Sequence, residues 1–473
     1  MSVVWSPATM FMLLVLLNVL GSNFAIVHEF FVRTRNAHHD HLYLALLDKE
    51  QPAKGTPWPR IMGPRPDDKV CIVGAGPAGL HMAVELRDRK YSNITILEKS
   101  NRVGGKCYDV DYRGLPHPQG AVYLGEEYFD NLVPLARRYG AANLVKLGPS
   151  FAILRGGRKL SQFEYLGYGP MSYIIIFFDA IKYVKLHREL FGRYNGELMP
   201  RPSPAVLYRI RGTFEEFLRR ENLLSLRQIF KLTFTVQGYG YHDEIAALYG
   251  LMWNTPRLLA IIVAYDHPQY ALFAFKDGHQ HVWNSVQARE SFNIKYNTII
   301  DQVRRLSSHV EIQSNHGVEE CDWMIWTPEI HDLMESLEKP SVDEERLLTG
   351  QSLYSFASNI VNVRNHRGGP FTTYDDNIEM KKQNSVAIDG EWMGLLRKVD
   401  QSEAGIERYI QESSSVTRTL ISYQFSRAGC TSDECNRIVS RHYNNLTGFQ
   451  PHIVHTTLWP RYFPHWSPGQ VIC

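Results

Sequence analysis

The residues of this 473-residue chain whose types and spacing best suit chemistry are a glycine series, Gly74-Ala75-Gly76-Pro77-Ala78-Gly79, and a carboxylate downstream, Glu98. Gly74 permits a tight turn, Gly76 lets backbone approach a pyrophosphate, and Gly79 allows a helix to pack closely on a strand. Pro77 and Ala78 fall where that helix begins, and its N-terminus offers partial positive charge and free N–H groups to an anion. Glu98 stands close to the offset at which a carboxylate accepts the two ribose hydroxyls of an adenosine. A glycine series alone is weak, and a charge at a strand end is the plain alternative for Glu98. The string Glu98-Lys-Ser-Asn-Arg102-Val-Gly104-Gly105-Lys106 then adds a glycine pair that lets the chain pass tightly by a diphosphate. Its basic residues, Arg102 and Lys106, can face phosphate.

These residues need elements to hold them. Lys69 to Val73 reads as a strand, Leu80 to Lys90 as a helix and Ile94 to Glu98 as a second strand. Such a β-α-β unit demands a parallel sheet and a right-handed crossover. Strand character returns at Ile294 to Val303, His309 to Gln313 and Trp323 to Trp326, so the sheet begun near Cys71 is predicted to be completed late in the chain. The stretch between is helical and aromatic-rich, as at Met171 to Leu190, with a capping box at Thr213 and Glu216. The expected fold is α/β: a Rossmann-type domain with a parallel sheet, discontinuous in sequence (69–150 and 280–335), plus a helix-rich substrate domain (151–279 and 336–430). An N-terminal extension and linker (26–68) and a C-terminal segment (431–473) complete the division.

Composition narrows the function classes. With 51 basic and 49 acidic residues, the net charge of +2 supplies no broad field for gripping nucleic acid. Residues 1–25 carry no Lys or Arg and an apolar run from Met10 to Leu20, which suits a signal peptide better than a membrane span, its rival being an uncleaved anchor. Secretion or residence in the secretory-pathway lumen is therefore expected. Cys71 and Cys107 are expected to remain thiols; Cys430 and Cys435 form either a local disulfide or, for Cys435, the packed face of a helix opened by Thr431 and Glu434. Sequons at Asn93 and Asn445 would be glycosylated on the secretory route. The apolar cluster Tyr173 to Phe178 is too short to span a bilayer and reads as core, with contact to a membrane surface the lesser reading. His279 and His281 alternate like strand residues, and no further ligand spacing supports a metal.

The E-x-x-x-R-x-G-G-K string, Glu98 to Lys106, resembles the flavin amine oxidase superfamily, whose members use it for FAD. Gly120-Ala121-Val122-Tyr123 looks like the flavin-facing segment of that superfamily, the strand near Ile300 like the one whose backbone contacts adenine, and Asp322 to Pro328 like its closing strand. Within it, the chain is similar to the FAD-dependent polyenoic fatty acid isomerases. That similarity runs through Gly104-Gly105-Lys106-Cys107, Phe234-Thr-Val-Gln-Gly238-Tyr239-Gly240-Tyr241, Phe275-Lys-Asp277-Gly278 and Tyr462-Phe463-Pro464-His465.

The resemblance implies isomerisation of a polyunsaturated fatty acid: a hydride leaves the methylene between two cis double bonds and returns to an end carbon, giving a conjugated diene. The protein's task is to hold the chain and exclude water. Phe234, Tyr239, Tyr241 and Phe275 are candidate pocket walls, with core packing as their plain alternative. His242, Asp243 and Glu244 read as a loop or helix-start feature, and no residue is assigned to the fatty acid carboxylate, since Lys146-Leu-Gly-Pro-Ser150 departs from a basic anchor. The superfamily also ends in a Gly-Glu pair and a last helix facing the flavin. No such segment precedes Cys473, so a truncated FAD-binding end is expected. Other readings are a flavin-dependent amine oxidase, oxidase or desaturase, and a non-catalytic secreted protein with a degenerate FAD fold.

Overall fold

The computed structural model describes residues 63–471, apart from 113, 126–130, 147–150, 156–157, 193, 195–200, 264–272, 349–350, 365–371, 376–390, 397–417 and 427–430. The leader, most of the linker and Cys430 thus lie outside the described residues.

Strand β1 (Val70–Val73) leads through the glycine turn into helix α1 (Pro77–Asp88), which returns to β2 (Ile94–Leu97). Gly74 adopts φ +94°, a left-handed conformation that favours glycine. Pro77 takes the first helical position, where its missing N–H costs nothing. Both strands are fully buried and pair in parallel, Val70 beside Ile94 through Val73 beside Leu97. Helix α2 (His279–Glu290) then leads to β3 (Asn293–Lys295), which pairs in parallel with β2.

An antiparallel sheet follows, made of β4 (Ile300–Arg305), β5 (Val310–Ser314) and β6 (Gly317–Cys321), before β7 (Trp323–Trp326) rejoins the parallel sheet next to β1. The parallel order is β7-β1-β2-β3, so the sheet is built from two distant stretches of sequence. The expected strand Ile294–Val303 is divided between two sheets: the chain turns at Asn297 (φ +54°), whose N–H donates to the Ser100 carbonyl. His279 and His281 lie on a helix and not a strand. Gly278 (φ +91°) breaks the extended chain, and the Asp109 carboxylate accepts from the Gln280 N–H at 2.7 Å in the first turn of α2.

Period-two alternation gives β1 two apolar faces. Val70 and Ile72 pack with Leu80, Val84, Val286 and Phe292 of the helical layer and its flank. Cys71 and Val73 face the other way, onto Ile312 and Cys321 of the antiparallel sheet. Each such large side chain taken from water contributes about 1.5–3 kcal/mol. The expected Cys71 thiol is a disulfide with Cys321, 250 residues away, because the pleat aims both side chains into one interlayer space with Cα atoms 5.8 Å apart. Cys107 keeps its thiol, and burial pushes it up to about 12.

Among the helices of the 151–279 region are Ser172–Phe191 and Phe214–Arg220, the latter opened by the Thr213–Glu216 capping box. A seven-stranded sheet joins them, in a region where the sequence patterning gave no strands. Its long members are β8 (Ser352–Val363), β9 (Arg418–Ser426) and β10 (His452–His465), with β8 between the other two and antiparallel to both. Helix α3 (Ser432–Thr447), with its Thr431–Glu434 capping box, packs Val439 and Tyr443 on Val361 and Val363 of β8. Cys435, on the same helix, is both buried and disulfide-bonded. Asn93 is exposed while Thr95 of its sequon is buried in β2. Among the described residues no helix is long and apolar enough to cross a membrane.

Candidate functional site

In an open parallel sheet, ligands bind outside the carboxyl ends of the strands, where the strand order reverses. That point lies at β1, with β2 and β3 to one side and β7 to the other. The glycine turn sits there, and its glycines do three different things. A Cβ at position 79 would lie 1.9 Å from the Gly74 carbonyl oxygen, so Gly79 serves helix-on-turn packing. A Cβ at Gly74 would strike Thr327 Oγ1, which itself donates to the Val73 carbonyl at 2.7 Å. Gly76 differs: its φ is −75°, and a Cβ there would meet only the Gly105 Cα, at an ordinary 3.7 Å. The protein's own packing does not require glycine at 76, whereas close approach of a ligand to backbone does. The Ala78 and Gly79 N–H groups, in the first turn of α1, lack helical acceptors and complete an anion cradle.

Glu98 follows β2 and reaches back to the glycine turn. Its Oε2 accepts from the Ala75 N–H at 2.6 Å, and its Oε1 from the Ser100 N–H at 2.8 Å and hydroxyl at 2.6 Å. One lone pair on Oε2 stays available for a ribose hydroxyl. The turn before Ile300 lies against the same residue, with the Thr298 N–H donating to the Glu98 carbonyl at 2.9 Å. These residues, remote in sequence, therefore meet at one end of one crevice.

The glycine pair lies across from Gly76. Gly104 (φ +102°) donates its N–H to the Ala75 carbonyl at 2.9 Å, and Gly105 (φ +50°) sits so close to Gly76 that a Cβ would come within 3.1 Å of its Cα. The two basic residues, expected to face phosphate, have partners within the protein. Arg102 donates to the Gly105 carbonyl at 3.1 Å and stacks on the Tyr108 ring at 4.0 Å, which holds the glycine turn in shape. Lys106 Nζ reaches the Tyr462 carbonyl at 2.6 Å and Glu329 Oε1 at 3.3 Å. Desolvation lowers the Lys106 pKa and raises that of Glu329, each opposed by the charge of the other.

Gly120-Ala121-Val122 runs beside this loop. A Cβ at Gly120 would collide with the Lys106 carbonyl, and the Ala121 N–H donates to that oxygen at 3.1 Å. From the far side the large sheet grips the preceding peptide: Ser358 Oγ and Trp459 Nε1 both donate to the buried Gln119 carbonyl, at 2.6 and 2.7 Å.

Val122 then joins an aromatic cluster with Tyr241, Tyr354 and Phe356, flanked by Tyr123, Trp459 and Tyr462. Tyr462 stacks on Phe356 with centroids 4.3 Å apart, and Tyr239 packs on Trp253 at 4.1 Å. A bulge in β10 between the partners of Tyr354 and Phe356 produces this crowding, a device that re-aims side chains. Tyr241 lies in this cluster, and Tyr239 packs beside it on Tyr462. Phe234 is fully buried and packs against Tyr239. Phe275 is a correction: it packs with Leu124, Ala136, Ala141 and Val282, away from this cluster, because its strand pairs with Leu144–Lys146.

His242 is a core imidazole that burial pushes down to about 3, while Glu244 accepts from the Tyr354 hydroxyl at 2.9 Å. Tyr354 and Phe356 went unnoticed in the sequence. Their alternation with Ser358 at i, i+2 and i+4 was the available signal for one strand face.

A family model described as an NAD(P)-binding Rossmann-like domain matches residues 72–139. The polyenoic fatty acid isomerase of Ptilota filicina is 25% identical over 211 residues, which are 41% of this chain and 42% of that protein. The match therefore spans under half of the relative's length. The crystal structure of a CLA-producing fatty acid isomerase from P. acnes aligns with TM-score 0.69 at 19% identity, over 87% of this chain and 90% of that one. Wild-type putrescine oxidase bound to putrescine aligns with TM-score 0.60 at 14% identity, over 86% and 89%. The chain thus carries a Rossmann dinucleotide-binding domain, similar in sequence to a polyenoic fatty acid isomerase, within a fold shared with that P. acnes isomerase and putrescine oxidase.

Proposed function

We propose that the chain is an FAD-dependent enzyme that moves the double bonds of a polyunsaturated fatty acid into conjugation. The observation that carries the reading is a dinucleotide crevice whose Gly76 has no packing reason to be glycine, next to a wall of tyrosine and phenylalanine rings. The residues fit the cofactor: Gly76, Ala78 and Gly79 for the diphosphate, Glu98 for the adenosine ribose, and Gly104 to Lys106 with Gly120 to Val122 for the flavin half. FAD, when bound, supplies reversible hydride exchange with the methylene between two double bonds. The chain's own part is to hold that methylene against the Val122 side of the crevice, with Tyr239, Tyr241 and Tyr462 excluding water and offering ring faces to a delocalised cation. Similarity to named fatty acid isomerases supports the substrate class.

The test is anaerobic incubation of FAD-loaded protein with linoleate or arachidonate. Conjugated-diene absorbance is the expected result, and flavin-bound protein that produces none rejects the reading. A second reading, an amine oxidase, draws on the Glu244 carboxylate beside the rings, a setting that suits an ammonium group. It requires oxygen uptake and peroxide at every turnover of an amine, where the isomerase consumes no acceptor. Entry to the secretory route, with glycosylation at Asn93 or Asn445, belongs to the same proposal; a glycosidase-sensitive mass on protein from a secreting host tests it.

A further inference from the structure

Glu329 ends the turn after β7, on the side of the switch point opposite Glu98. Three observations single it out. Thr327, two residues earlier, touches the first fingerprint glycine: its Oγ1 donates to the Val73 carbonyl at 2.7 Å and approaches the Gly74 carbonyl at 3.4 Å. Lys106, directly after the glycine pair, reaches Glu329 Oε1 at 3.3 Å, so the carboxylate stands between the two loops that frame the crevice. Its other oxygen, Oε2, is buried and has no hydrogen-bond partner among the described residues.

A buried carboxylate oxygen without a donor is costly, by roughly 1–3 kcal/mol, and natural sites keep such atoms where a ligand supplies the donor. With the adenosine held at the end of β2 by Glu98, a dinucleotide that crosses β1 must carry its other half over the end of β7. We propose that Glu329 is a cofactor-binding residue for that non-adenosine half, with Oε2 accepting a hydrogen bond from a polyol hydroxyl or ring N–H. Lys106 offsets its charge, so a carboxylate is tolerated near a diphosphate. The inference rests on the FAD reading and assigns it a further residue.

The experiment compares two ligands on the full chain stripped of cofactor: FAD, which has both halves, and ADP, which has only the adenosine half. Glu329→Ala is expected to weaken FAD about tenfold and Glu329→Gln less, with ADP affinity unchanged. Glu98→Gln is expected to weaken both ligands. An unchanged FAD affinity in Glu329→Ala overturns the proposal. So does an equal loss for ADP and FAD, which marks a structural role, or an equal gain, which marks Glu329 as no more than the counter-charge of Lys106. Wild-type protein that binds neither ligand removes the FAD reading itself, and this assignment with it.

Discussion

At the scale of single residues, the fingerprint glycines separate by what a methyl group would meet. Gly79→Ala drives a Cβ to 1.9 Å from the Gly74 carbonyl oxygen, and its folding stability should fall by about 3 kcal/mol in a denaturant titration. Gly76→Ala finds ordinary contact and an extended backbone with φ −75°, open to any residue, so its apo stability should stay within about 0.5 kcal/mol of wild type. Its FAD affinity should nonetheless drop by about tenfold or more, because the methyl occupies the approach of the diphosphate. If both variants lose stability and neither loses affinity selectively, position 76 serves packing and not a ligand.

At the scale of elements, the seven-stranded sheet grips the peptide that follows the strand Leu115–Pro118. Ser358 on β8 and Trp459 on β10 share a sheet face, and both donate to the Gln119 oxygen just before the segment Gly120–Val122. Either donor alone keeps that carbonyl satisfied, so Ser358→Ala or Trp459→Phe should each cost about 1 kcal/mol. The double variant leaves a buried acceptor bare and should lose more than the two singles together, as a double-mutant cycle by chemical denaturation would read. Under the FAD reading, visible absorbance of the flavin should shift in the double variant, since Gly120–Val122 directly follows the peptide held by these donors.

At the scale of the whole molecule, the Cys71–Cys321 disulfide ties β1 to a hairpin 250 residues later. A closure of that length restricts the unfolded chain strongly, and Cys71→Ala with Cys321→Ala should lower stability by about 2–5 kcal/mol. A reductant should lower the wild-type denaturation midpoint more than that of the double variant, in which the disulfide at Cys435 is left to reduce. Buried imidazoles set a pH dependence as well. Burial pushes His187 and His279 down to about 4 and His242 to about 3. The unfolded chain takes up these protons near pH 6.5 while the folded chain does not, so stability falls as pH drops through 6.5 towards about 4 and gains no slope from them above 6.5. His242→Leu should flatten that fall in midpoints measured at pH values of about 7, 6 and 5.

The glycine turn, the β-α-β unit, the carboxylate at the end of β2 and two capping boxes were legible in the sequence because each is decided by neighbours within about thirty residues. Chain torsions, helix caps and period-two burial leave their mark locally. The Cys71–Cys321 bond, the split of 294–303 between two sheets, the burial of Phe275 in another core and the long strands β8 and β10 were decided only by tertiary structure. Their partners lie up to hundreds of residues away, and side-chain pairing across sheets depends on register, which no local pattern specifies. The same distinction runs through the site. The sequence marked the glycine turn, while folding alone set Ser358 and Trp459 on the Gln119 carbonyl and gave Lys106 the Glu329 carboxylate for a partner.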